Sequence, residues 1–235
     1  LAERGGKLST LYRRLAYGGH DSPGAIRAAA VVGALGALLI LLYTGMEVMV
    51  VEARPLWHTS LLPLLFAVSA VSGGLGMVGL FEALIGQGAA APLINRWQER
   101  SQWLTLGLLA AWLLLAVSGL AASPADALAA MRGSLGWLLS AAWLLGTTAL
   151  TLWLAHNRRD SLLWPALLAL HGAWLVRWMV FMGGQNIPKM GASTHIYALS
   201  LSPDSVLGIV GMAGLCLTVY IILTSIIPWG DRAEA

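Results

Sequence analysis

Among 235 residues there is a single cysteine, Cys216. No intrachain disulfide is possible, and paired thiolates cannot hold an iron–sulfur cluster or a structural zinc. Charge is scarce too. Asp, Glu, Lys and Arg make up 11% of the chain, less than half the roughly 25% of an ordinary soluble domain. With 58% hydrophobic residues, that scarcity excludes both a disordered chain and a water-soluble globule. The net charge of only +3 leaves no basic patch for nucleic acid. HExxH, a nucleophile elbow, Walker A and GxGxxG are all absent. Phenylalanine is rare, three residues against eleven tryptophans, and rings of the latter kind concentrate at membrane–water boundaries.

What is present is a series of apolar runs. A spanning helix needs about 20 mostly apolar residues, and six segments qualify: 26–50, 60–86, 101–122, 135–156, 162–185 and 205–229. None alternates with period two, as a membrane β-barrel would. The expectation is an all-α, polytopic transmembrane helix bundle, with residues 1–235 a single integral membrane domain. The first 20 residues are polar and basic and lack the apolar core of a signal peptide. A start at Leu1 inside such a segment reads as an incomplete N-terminus.

The basic residues suggest an orientation. Arg4, Lys7, Arg13, Arg14, Arg27, Arg96, Arg100, Arg158, Arg159 and Arg232 fall on one side of a six-span layout, and only Arg54, Arg132 and Lys189 on the other. Positively charged loops stay cytoplasmic, so both ends are expected on the cytoplasmic side.

Ionisable groups inside spans are costly and face protein or water. The first span carries Tyr43 and Glu47, four residues apart and hence on one helix face. The fifth carries His171 and Arg177. Tyr43 and Arg177 each lie about eight residues from the outer end, roughly 12 Å deep. Simpler readings exist for most of these. Tyr43 also fits an interfacial belt residue, and Glu47 a side chain that snorkels or pairs with Arg54. His171 also fits a hydrogen-bonded packing histidine, and Glu82 a solvated residue at the inner end of its span. Arg177 is too deep to snorkel and points to a buried or water-filled site. Ser69, Ser72, Gly73, Gly76 and Gly79 form small-xxx-small pairs that let helices approach closely.

A bis-histidine haem needs two histidines facing each other within the bilayer. Only His171 lies well inside a span: His20 and His195 are in loops, His58 is in a turn and His156 ends a span. No haem is expected. There remains a polar patch near the outer face: Tyr43, Glu47 and the turn running from Glu52 through Arg54, Pro55 and Trp57 to His58. It suits a lipid-soluble headgroup with carbonyl oxygens, such as a quinone. Tyr43 and His58 can donate hydrogen bonds, Glu47 can relay protons, and Trp57 can shape the pocket edge.

At this turn the sequence resembles a known family. Tyr43-Thr44-Gly45, followed by Arg54-Pro55-Leu56-Trp57-His58-Thr59-Ser60-Leu61-Leu62-Pro63-Leu64-Leu65-Phe66-Ala67-Val68-Ser69, is similar to NrfD/polysulfide reductase membrane subunits. So is Arg177 with Gly183-Gly184-Gln185. The resemblance runs from about the first span to the last. It implies an integral membrane subunit of the bacterial or archaeal cytoplasmic membrane, without a metal centre of its own. Such a subunit exchanges electrons between menaquinone or ubiquinone and a docked ferredoxin-like partner with four iron–sulfur clusters. That partner in turn serves a molybdopterin catalytic subunit. The family has eight or more spans, so further quinone contacts are expected in spans not present here.

By the same resemblance Tyr43 matches a quinone-contacting tyrosine, with Glu47, Trp57 and His58 close by. Arg177, with His171 and Glu82, would belong to a proton pathway through a polar interior. Two rival readings of the residues remain: a proton- or ion-translocating membrane subunit without quinone chemistry, and a pure membrane anchor.

Overall fold

The computed structural model describes residues 23–86, 88–187, 200–203 and 206–226. Arg4, Lys7, Arg13, Arg14, His20, Lys189, His195, Trp229 and Arg232 lie outside them, and with them both chain ends. Every regular element among the described residues is helical. In chain order these are α1 (Pro23–Met49), α2 (Leu62–Leu84), α3 (Ala91–Ser118), α4 (Ala122–Met131), α5 (Leu135–Asn157), α6 (Leu163–Asn186) and α7 (Val206–Ile226). Helices α1, α2, α3, α5 and α6 are long and apolar enough to cross a membrane, and α7 is apolar over Val206–Ile222.

Local chemistry sets the ends. Pro63 and Pro92 open α2 and α3 within the first two positions, where a missing N–H costs nothing. Gly119, at φ 69°, ends α3 in the left-handed region that glycine enters without strain. The Ser134 hydroxyl caps α5 by accepting the Trp137 amide at 3.3 Å.

The chain divides into two compact units. One runs from Val32 to Ile196; the other takes the flanking residues, including α7, whose Cys216 is exposed. In the larger unit α2 packs on α3 and α6, and α5 packs on α3 and α6. These four helices close a ring, with α4 against α3. The small-residue stripe of α2 serves the contact with α6. A Cβ on Gly76 would stand 2.8 Å from the Ala166 carbonyl oxygen, and one on Gly73 3.0 Å from Ala173 Cβ.

The polarity of this unit is inverted relative to a soluble bundle. Large apolar side chains such as Leu39, Ile40, Leu114 and Leu139 cover its outside. Asn95, Gln98, Gln102, Thr105, Thr148 and Thr151 are buried within it. Hydrocarbon solvates the outside, and polar contacts hold the helices together within.

Two features depart from the sequence reading. Helix α3 begins at Ala91, ten residues ahead of the expected apolar run, and α4 occupies part of an expected loop. In residues 91–100 the charged Arg96 and Arg100 are exposed, whereas Asn95 and Gln98 are buried. The segment is amphipathic with its polar amides turned inward.

Candidate functional site

The turn between α1 and α2 is bound to the C-terminal end of α6. Arg54 Nη1 donates to the carbonyls of Gly184, Gln185 and Ile187 at 3.0, 3.0 and 2.8 Å. A cation thus sits where the helix leaves carbonyls without partners and its dipole is negative. The Trp57 indole N–H donates to the Val180 carbonyl at 2.6 Å. The indole edge takes the space a Cβ on Gly184 would need, which accounts for glycine there. His58 Nδ1 donates to the Met49 carbonyl at 3.0 Å; a carbonyl only accepts, so Nδ1 carries the hydrogen. Leu56 is buried with Ala127, Met131 and Ile187.

The Trp57 indole N–H and His58 Nδ1, on residues expected from sequence as quinone contacts, are therefore engaged with backbone carbonyls. Tyr43 and Glu47 are not: both are exposed on α1, Tyr43 at 61%. Gly45 and Val48 of α1 face α2 instead. A Cβ on Gly45 would overlap Pro63, and Val48 packs against the cluster of Leu62, Phe66 and Val180.

Arg177, His171 and Glu82 do not converge. Arg177 is half-buried, with Nη1 donating to Ser69 Oγ at 3.0 Å and to the Ala173 carbonyl at 3.1 Å. Its Nη2 reaches the Phe66 carbonyl at 3.3 Å, and the guanidinium lies 5.4 Å from the Phe66 ring centroid. His171 Nε2 accepts the Trp143 indole N–H at 2.8 Å, and the imidazole stacks on Trp174, centroid to centroid 5.7 Å. Glu82 folds over Gly86 just beyond the end of α2. Among the described residues no three of His, Cys, Asp or Glu gather as metal ligands.

Two cavities lie along the ring of α2, α3, α5 and α6. The larger, of about 600 Å³, lies toward the end that carries the Arg54 turn. Leu62, Leu109, Trp112, Trp137, Ala141 and Val180 are among its walls. Its volume falls in the range of small-molecule sites, roughly 300–1,000 Å³. The walls are almost entirely apolar; the Trp137 indole N–H, which has no hydrogen-bond partner, is buried beside Gly183 and not turned into this space. Tyr43 and Glu47 are not part of this cavity.

The second cavity, about 10 Å³, lies deeper. Ser69, Ser72, Gln102, Thr105, Thr147 and Thr151 contribute to its lining. Gln98 Nε2 and Gln102 Nε2 both donate to Ser72 Oγ, at 2.7 and 2.8 Å. Asn95 Nδ2 donates to the Arg159 and Ser161 carbonyls at 2.8 and 2.9 Å, fixing the loop between α5 and α6. The sequence carries a signal for this column: Asn95, Gln98, Gln102 and Thr105 recur at three- and four-residue spacing, one helix face. No sequence pattern marks the larger cavity.

The family described as "Polysulphide reductase, NrfD" matches residues 7–189. The chain belongs to the NrfD family. It is 31% identical over 201 residues to a tetrathionate reductase subunit of Salmonella typhimurium, an alignment covering 83% of this chain and 57% of the relative. The chain thus spans little more than half of that protein's length. No solved structure matches it. Family membership and five long apolar helices make this NrfD chain a multi-pass membrane protein.

Proposed function

We propose that this chain is the quinone-reactive membrane subunit of a multi-subunit reductase, and that the quinone ring enters the 600 Å³ cavity. It passes electrons between menaquinone or ubiquinone and an iron–sulfur partner of four clusters, which serves a molybdopterin catalytic subunit. The relative's name, that of a reductase subunit, favours such an assembly. The cavity carries the reading. It is large, apolar and set among lipid-facing helices. A quinone brings an apolar ring and tail that suit such walls.

A second placement rests on Tyr43 and Glu47, which share one exposed face of α1. There Tyr43 donates to a quinone carbonyl and Glu47 handles its proton.

Two variants of the assembled complex decide between them. Ala141→Trp intrudes on the cavity; quinol-linked turnover should fall at least tenfold, while an artificial dye still exchanges electrons with the partner directly. Tyr43→Phe should leave turnover within twofold. The reverse pattern moves the quinone to α1. Normal quinol turnover in both variants would sink the quinone assignment and favour an ion-translocating subunit or a pure anchor.

A further inference from the structure

We infer that the outward face of α3, at its N-terminal end, binds the headgroup of an anionic phospholipid, with Arg96 and Arg100 on its phosphate. This surface is independent of the cavity and of the quinone reading. Four residues apart, the two arginines share one helix face, and both are exposed. Leu93, Trp97, Trp103 and Leu104 continue the same stripe, and each is exposed as well.

Depth puts the stripe at the level of the headgroups. From Ser101 to Ser118 helix α3 carries no ionisable residue. That stretch measures about 27 Å at 1.5 Å per residue, close to the roughly 30 Å of a hydrocarbon core. Arg100 therefore stands at the edge of the hydrocarbon and Arg96 one turn beyond it, where lipid phosphates lie. Trp97 and Trp103 bracket that edge, the level at which indole rings settle.

The charges favour an anion. Glu99 is the one acid of α3, and it is turned toward α5, where it meets His156 at 3.0 Å and Arg159 at 3.6 Å. Its charge is neutralised there, and among the described residues no carboxylate pairs with Arg96 or Arg100. The other acids of this end, Glu82 and Asp160, sit on the last turn of α2 and on the loop after α5. Arg100 is also held in place: its guanidinium lies 4.9 Å from the Trp97 ring centroid. A guanidinium stacked in this way keeps its N–H edge for a phosphate, which it grips with two parallel hydrogen bonds. Arg54, at the other end of the bundle, spends its donors on carbonyls of its own chain.

The order of groups along the stripe matches a phospholipid. Cations come first, then rings, then Leu104 and Gly107. A Cβ on Gly107 would meet nothing within 4 Å, so a notch lies one turn below Trp103, along which an acyl chain fits. Basic surfaces beside membrane helices recognise anionic headgroups in this manner. A polar protein surface docked at the same depth would meet leucine and indole instead.

The test reconstitutes the assembled complex in vesicles of equal dioleoyl phosphatidylglycerol and dioleoyl phosphatidylcholine, with a photoreactive residue in place of Leu93. Cross-links should form to lipid, to phosphatidylglycerol at least fivefold over phosphatidylcholine. With Arg96→Gln and Arg100→Gln combined, the preference should fall to within twofold. Trp97→Leu should give an intermediate value, because Arg100 loses its support. Arg158→Gln removes the same charge from the same membrane face but off the stripe, and should leave the preference intact. Equal labelling of the two lipids, or an unchanged preference in the double variant, overturns the site. An equal fall with Arg158→Gln does so too, since it would mean diffuse surface charge. A cross-link to protein would make this face a subunit contact and overturn the lipid assignment.

Discussion

At the scale of single residues, the contact between Gly184 and Trp57 is the most demanding. The indole occupies the place of a Gly184 side chain and donates to Val180 one turn earlier. Gly184→Ala must displace a ring packed against the end of α6, a class of change that costs about 1–3 kcal/mol. Thermal unfolding in detergent should register that loss. In a Trp57→Leu background the same alanine should cost far less, because the side chain it collides with is gone. Such non-additivity is the signature of direct contact. Arg54 makes the neighbouring link through three carbonyls. Its guanidinium also lies 5.7 Å from the Trp57 ring centroid, and this planar cation packs on aromatic faces in a way the lysine ammonium does not.

These residues divide cleanly in how legible they are. Trp57, Gly183 and Gly184 stand out in the sequence, but nothing in one sequence says that residue 57 meets residue 184. The turn reads as a ligand site because its side chains can donate and accept. The structure shows those donors satisfied by backbone carbonyls, from the distant end of α6 for Arg54 and Trp57 and from nearby Met49 for His58. Arg177 is expected in a sheltered place, since its depth rules out snorkelling, and it lies in one. Its partner Ser69 is 108 residues away and reads in the sequence only as a small packing residue.

At the scale of elements, hydropathy locates the spans because lipid demands an apolar exterior. It misses the first ten residues of α3 for the same reason. Arg96, Glu99 and Arg100 lower the local average, although the arginines point outward. The inward amides tie that segment to α2. Ser72 accepts from two glutamines, so Ser72→Ala strands two buried amides. The expected cost is about 1–3 kcal/mol per unsatisfied group. Gln98→Leu removes the orphaned Oε1 together with its own donor and leaves Ser72 bonded to Gln102. It should destabilise α3 less than Ser72→Ala. Chemical unfolding of the two variants side by side, followed by helical circular dichroism, gives the order. The reverse order would mean that a water already satisfies Gln98 Oε1 and that its loss is costly.

At the scale of the molecule, the four-helix ring is tight and polar in one half, wide and apolar in the other. The wide half is expensive. An open apolar space forfeits the packing that a filled core would gain. A chain selected for stability alone would place larger side chains there, and Ala110 and Ala141 are among the residues that line it. The quinone reading therefore makes a thermodynamic prediction separate from turnover. A ligand that binds only the folded state stabilises it by about 2.7 kcal/mol at one hundred times its Kd. The melting temperature of the purified wild-type complex should rise with added short-chain quinone. Ala141→Trp should melt no lower than wild type without quinone, and should lose the rise entirely. A rise of equal size in both would place the ligand outside the cavity, whatever the turnover of the variant.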